Sequence, residues 1–199
     1  MTVETATPDD DRGELPADPP GRGAFGPAVE RFDDTVDRAL ERLRGHPVPD
    51  RIFQAASYAG EFSAVWHTLS ITRGIIRHEP RRVVAFAVAI GLESLIVNQG
   101  LKRLFKRSRP TVAGDERVHV RQPLTSSFPS GHSSASAFAS TVMAGRDGQP
   151  WATAWYGIGA TVAVSRAYVR IHHASDVVGG LVVGRLMGLV ARRVLRRVV

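Results

Sequence analysis

Residues 81 to 105, RRVVAFAVAIGLESLIVNQGLKRLF, form an apolar run closed at both ends by basic residues. About 20 apolar residues in a helix match the hydrocarbon thickness of a bilayer, and flanking cations anchor such a helix at the headgroups. This run limits what the chain can become. In lipid every backbone polar group must be satisfied internally, which leaves helices and closed barrels. No segment shows the alternation of a strand, so helices are expected. The other apolar segments fit that choice. Residues 52 to 76 are long enough to cross, although Glu61 and His67 interrupt them. Residues 132 to 145, HSSASAFASTVMAG, are small enough for close packing between neighbours. Residues 151 to 169 and 174 to 195 complete the set, and the latter carries GGLVVG, small residues spaced for helix contact. The expected fold is all-α: a membrane-embedded helical bundle of about five transmembrane helices, with Glu93 facing the bundle interior rather than lipid.

The N-terminal part is different. Residues 1 to 27 are polar, acidic and rich in proline, which predicts a disordered tail rather than a signal peptide. AVERFDDTVDRALERLR, residues 28 to 44, places Val29, Phe32, Val36, Ala39, Leu40 and Leu43 at helical spacing. An amphipathic helix is therefore expected over 28–46, lying on the membrane surface or packed on the domain that follows over 47–199.

The absence of cysteine excludes disulfides, thiol nucleophiles and cysteine-ligated metals. A formal charge of +7 suggests partners that carry phosphate, or an anionic membrane surface. Nucleic acid is disfavoured, because the cations cluster at the ends of apolar segments with no aromatic residues between them to stack bases.

Three clusters stand at helix ends. The first is KRLFKRSRP, with Lys102, Arg109 and Pro110; the second is PSGH, with Pro129, Ser130, Gly131 and His132; the third is SRAYVRIHHASD, with Ser165, Arg166, His172 and Asp176. Taken singly, each has an ordinary explanation: interfacial anchors, a turn with a helix cap, and a histidine–aspartate pair on one helix face. Their conjunction in this order and spacing points to chemistry.

K-x6-RP, PSGH and SR-x5-H-x3-D together resemble the signature of the type 2 phosphatidic acid phosphatase superfamily, over roughly residues 80 to 195. That superfamily includes membrane lipid phosphatases, soluble acid phosphatases and vanadium haloperoxidases. The resemblance implies a metal-independent hydrolase acting on a lipid phosphate or polyprenyl (di)phosphate, with His172 as nucleophile, Asp176 as its partner and His132 as proton donor. Phosphate would be bound by Lys102, Arg109, Ser130, Gly131 and Arg166. The chemistry of these residues agrees. Three cations can neutralise a phosphoryl group, and arginine forks suit its oxygens. A helix start after PSGH favours an anion. An imidazole is substantially neutral at pH 7 and can attack phosphorus without a separate base. The family's spacing from its arginine and to its aspartate, matched here at Arg166 and Asp176, implies His172 rather than His173.

No cofactor and no metal is expected. The resemblance implies phosphatidate, polyprenyl diphosphate, phosphatidylglycerophosphate or phosphorylated polyprenyl sugars as substrates. It also implies integral membrane residence with the site on the extracytoplasmic face. Two other readings compete: a vanadate-dependent haloperoxidase, and a catalytically silent membrane protein that binds phospholipid headgroups.

Overall fold

The computed structural model describes residues 23–111 and 125–198. Most of the predicted tail, residues 1–22, lies outside these, as do residues 112–124. Among the described residues the secondary structure is entirely helical. The elements are α1 (Pro27–Glu41), α2 (Pro47–Ala59), α3 (Ala64–Arg77), α4 (Pro80–Leu95), α5 (Gly131–Asp147), α6 (Trp151–Tyr168) and α7 (Ala174–Val198). Proline starts α1, α2 and α4 within the first turn, where its missing N–H costs nothing.

Helix α4 runs on through a π-helical stretch, Ile96–Leu101, and a last turn, Lys102–Leu104. Pro80–Leu104 and Ala174–Arg197 are long and apolar enough to cross a membrane. Their outward faces agree with that length. Val84, Val88, Leu92, Leu95 and Ile96 are exposed along α4, and Val178, Val182, Leu186, Val190 and Val194 along α7. Apart from the adjacent Leu95 and Ile96, both rows recur every three to four residues, so each is one continuous apolar stripe, which suits a lipid environment.

The segment 52 to 76 is not one helix. It breaks at Gly60, passes through a short 3-10 turn, Glu61–Ser63, and restarts as α3. Phe62 and Ser63 take left-handed backbone angles there, with φ of 50° and 57°. A Cβ on Gly60 would come within 2.7 Å of His132 Cδ2 and 2.8 Å of Val162 Cγ1. The glycine lets the break lie directly against α5 and α6.

Helix α5 is the centre of the bundle. Residues Ser133 to Thr141 are buried without exception, and α6 and α7 make the most extensive contacts with it. Trp66, Phe86, Ile90, Phe138, Met143 and Trp155 fill the core where α3, α4 and α6 meet α5. The small-residue pattern of α7 operates as expected: Gly180, Gly184 and Gly188 face α5, and a Cβ on Gly184 would overlap the Ser134 carbonyl. Gly157, by contrast, faces open space: a Cβ there would meet nothing within 4 Å. Gly184→Ala will lower the melting temperature in detergent, since overpacking a close contact costs about 1–3 kcal/mol. Gly157→Ala will hold or raise it, as alanine is favoured over glycine in a helix by about 1 kcal/mol. Equal melting of the two variants would contradict this packing.

The amphipathic helix differs in its orientation. Phe32 and Leu43, on the expected apolar line, are exposed, while Asp33 and Arg44 are buried. Arg44 donates from Nε to the Tyr168 carbonyl at 2.8 Å and from Nη2 to the Ala167 carbonyl at 3.0 Å. It thereby caps the C-terminal end of α6, whose last carbonyls have no partner within the helix. Arg170 reaches back to Asp37 and Glu41. Charged groups dock α1, together with Leu40, which packs on Tyr168, Val169 and Ile171.

Candidate active site

The end of α4, the start of α5, the end of α6 and the start of α7 converge at one end of the bundle. The buried face of α4 runs through Phe86, Ile90, Glu93 and Val97. These steps of four, three and four residues are α-helical. The next buried residue is Lys102, five positions on, across the π-helical stretch. The wider turn adds the residue that brings Lys102 onto the buried line; in a regular helix position 101 would take that place. Within the same stretch, Asn98 lies so close that a Cβ on Gly131 would sit 2.9 Å from its Oδ1.

Ser130 caps α5: its Oγ accepts from the Ser133 amide at 3.4 Å and from the Ser133 hydroxyl at 2.9 Å. The Ser130 amide donates to the Asp176 carbonyl at 3.0 Å, tying the PSGH turn to α7. His132, in the first turn, places Nε2 3.6 Å from Glu61 Oε1. Arg166, 1% exposed, donates through Nη1 to the Ser57 hydroxyl and lies 4.0 Å from Glu61. Its Nε and Nη2 are buried and have no hydrogen-bond partner among the described residues. Two guanidinium nitrogens, with three N–H bonds between them, are what an anion with several oxygens would satisfy.

His172 sits in the turn between α6 and α7, its amide held by the Arg166 carbonyl at 3.2 Å. Its Nδ1 is 3.7 Å from Asp176 Oδ2, and its Nε2 is 3.3 Å from Arg109 Nη1. Arg109 is fixed by donating to the Ile171 carbonyl at 2.6 Å and the Thr125 carbonyl at 3.2 Å. Burial pushes the His172 imidazole down to about 3, with Asp176 opposing the shift and the Arg109 charge adding to it. The ring is therefore neutral at pH 7, with one nitrogen beside a carboxylate and the other beside a cation. Lys102, Arg109 and Arg166 are near enough to repel one another, and Lys102 and Arg166 also act on His132. All eight residues singled out from the sequence thus lie in one place. Among the described residues no group of three or more histidine or carboxylate side chains is placed to hold a metal.

The family model of the PAP2 superfamily matches residues 82–199. The chain belongs to the PAP2 superfamily. It is 30% identical over 154 residues to decaprenylphosphoryl-5-phosphoribose phosphatase of Mycolicibacterium smegmatis, covering 75% of this chain and 82% of the relative. Undecaprenyl-diphosphatase BcrC of Bacillus subtilis is 28% identical over 111 residues, 55% of this chain and 56% of that protein. In structure it resembles a transmembrane PAP2 type phosphatidylglycerolphosphate phosphatase from Bacillus subtilis. That match has a TM-score of 0.69 and 22% identity, over 90% of this chain and 92% of the other. LpxE of Aquifex aeolicus follows, with a TM-score of 0.66 and 26% identity, over 81% and 95%. This PAP2 protein is a phosphatase and a membrane protein.

Several groups in the PAP2 site lie outside the three motifs, or within them without standing out in the sequence. Arg107, inside the first motif, donates from Nη1 to Asp176 Oδ1 at 2.6 Å. Ser127 also donates to Asp176, through its hydroxyl to Oδ2, as does the His173 amide at 2.8 Å. His173 itself is a neighbour whose backbone, rather than its ring, holds the aspartate. Glu61 stands out in the sequence only as an interruption in an apolar run, and that interruption is the available signal. A cavity of about 240 Å³ between α1 and the α6–α7 turn reaches His172, with Asp33, Asp37, Arg107 and Arg170 in its walls. Another of similar size, beside Arg82, Asp147 and Arg192, lies at the far end of the bundle, away from both histidines.

Proposed function

We propose that this PAP2 phosphatase hydrolyses a lipid phosphate or polyprenyl (di)phosphate at the membrane surface through a phosphohistidine on His172. The observation that carries this reading is the neutral, buried His172 ring, with Nδ1 toward Asp176 and Nε2 toward the cluster of Lys102, Arg109 and Arg166. The Nε2 lone pair attacks phosphorus in line while the bond to the leaving oxygen breaks. His132 gives that oxygen its proton. Asp176 holds the Nδ1 proton and stabilises the imidazolium that forms. In the second step His132 takes a proton from water, the water oxygen attacks phosphorus, and the N–P bond breaks to release inorganic phosphate. The three cations bear the charge that spreads over the phosphoryl oxygens, and Ser130 and Gly131 form the turn that faces them.

Helices α3 to α7 alternate in direction and are read as the five crossings. Arg77, Arg81, Arg82, Arg192, Arg193, Arg196 and Arg197 gather at the end opposite the site. Cations favour the cytoplasmic side, so the site opens on the extracytoplasmic face. Residues 47–199 form the phosphatase domain and α1 is an arm on its surface. The substrates in the names of the two curated relatives, decaprenylphosphoryl-5-phosphoribose and undecaprenyl diphosphate, favour a polyprenyl-linked phosphate.

The test is release of inorganic phosphate in detergent with EDTA from four lipids: a phosphorylated prenyl sugar, undecaprenyl diphosphate, phosphatidate and phosphatidylglycerophosphate. Release that survives EDTA is expected, fastest from a prenyl-linked lipid. Alkaline quenching of His132→Ala during turnover should trap phosphate on His172. Binding of all four without release would place the substrate outside these lipid phosphates.

A further inference from the structure

We infer that α1 belongs to the catalytic apparatus: Asp33 is a positioning residue that sets Asp176 through Arg107. The inference rests on the reading of His172 and Asp176 as nucleophile and partner. Its basis is a buried chain of contacts that links residues 143 positions apart in sequence. One guanidinium bridges two carboxylates: Arg107 Nη2 donates to Asp33 Oδ2 at 2.7 Å, and Nη1 donates to Asp176 Oδ1 at 2.6 Å. All three side chains are buried. Asp33 also takes the Ser175 amide on Oδ1 at 2.7 Å and the Ser175 hydroxyl on Oδ2 at 2.8 Å. It therefore caps the first turn of α7, the turn that carries Asp176.

The charge count gives this arrangement its meaning. Two carboxylates share one guanidinium, so the group keeps one net negative charge beside His172. Without Asp33 the Arg107 charge would be matched by Asp176 alone. The aspartate would then hold the Nδ1 proton less strongly, and the imidazolium of the transition state would lose support. Lys102, Arg109 and Arg166 already press positive charge on this region, so the balance has little slack. The PAP2 family match begins at residue 82, and α1 lies outside it. The cap alone would be a structural role; the shared guanidinium makes it an electrostatic one.

Asp33→Asn separates the two roles, since asparagine keeps an acceptor for Ser175 and removes the charge. On the lipid phosphate that wild type hydrolyses fastest, Asp33→Asn is expected to lower kcat about tenfold, the usual scale of coupling between groups in one network, with KM within about twofold. Asp33→Glu should recover part of the loss. In an Arg107→Gln background, where two carboxylates face each other unbridged, Asp33→Asn should cause no further loss or should raise kcat. That reversal is a result a purely structural cap would not give. Arg107→Lys, which keeps the charge and loses the fork, tests the same bridge with Asp33 intact and should also lower kcat. Wild-type kcat in Asp33→Asn, or an equal loss with and without Arg107, would overturn the inference. Absence of release by wild type would instead remove the lipid-phosphate reading beneath it.

Discussion

His172→Ala will release phosphate on the order of 10⁴-fold more slowly than wild type, at every EDTA concentration, because the proposed mechanism forms its covalent intermediate on this ring. His173 holds Asp176 through its backbone amide, on Oδ2. The same variant should change how stability depends on pH. The His172 value in the fold lies near 3, below the usual histidine value of about 6.5. A depressed value means that stability is fully present above about pH 6.5 and is lost as pH falls from there toward 3, since the unfolded chain binds the proton first. Removing the ring should flatten the acid side of the melting curve. Turnover in His172→Ala within tenfold of wild type would show that the nucleophile lies elsewhere.

Arg166→Ala should lower kcat by about 10²–10³, the usual effect of removing one preorganised donor from a developing oxyanion. The guanidinium is buried and still has the N–H bonds of Nε and Nη2 to give. Arg166→Lys keeps a charge without the planar fork and should stay at least about tenfold below wild type. Stability needs measuring alongside, because Nη1 ties α6 to the Ser57 hydroxyl of α2. A rate loss that follows melting temperature across the two variants would make Arg166 a structural tie; a rate loss at unchanged melting temperature would make it a phosphate ligand.

The three motifs are legible because each sits at a helix end and pairs residue types with a chemical task. Helices α4 to α7 are legible from apolar runs bounded by basic residues, glycine or proline. What stays hidden is direction. KRLFKRSRP contains five cations, and composition cannot say which of them turn inward. The π-helical stretch decides for Lys102, and contacts with Asp33 and Asp176 decide for Arg107. In the sequence Asp33 looks like part of the solvated face of α1, because hydrophobic spacing assigns the buried side to the apolar residues. Here Arg107 and Arg170 take Asp33 and Asp37, and the carbonyls that end α6 take Arg44, so the charged side of α1 is the one that docks. The break between α2 and α3 is visible only as a misplaced glutamate. Its cause is long-range: Gly60 must clear His132 and Val162.

Helix α5 has a consequence for biogenesis. Its inner residues include Ser133, Ser134, Ser136, Ser140 and Thr141, and its neighbours sheathe it on every side. Such a segment gains little from lipid by itself, since hydroxyls without partners are costly in hydrocarbon. The usual order, in which each span first settles alone in the bilayer and then associates, suits α4 and α7 with their greasy outer stripes. It does not suit α5. This helix has to be escorted into place by α6 and α7, so the part of the molecule that presents the PSGH turn is also the last that can exist independently of the rest.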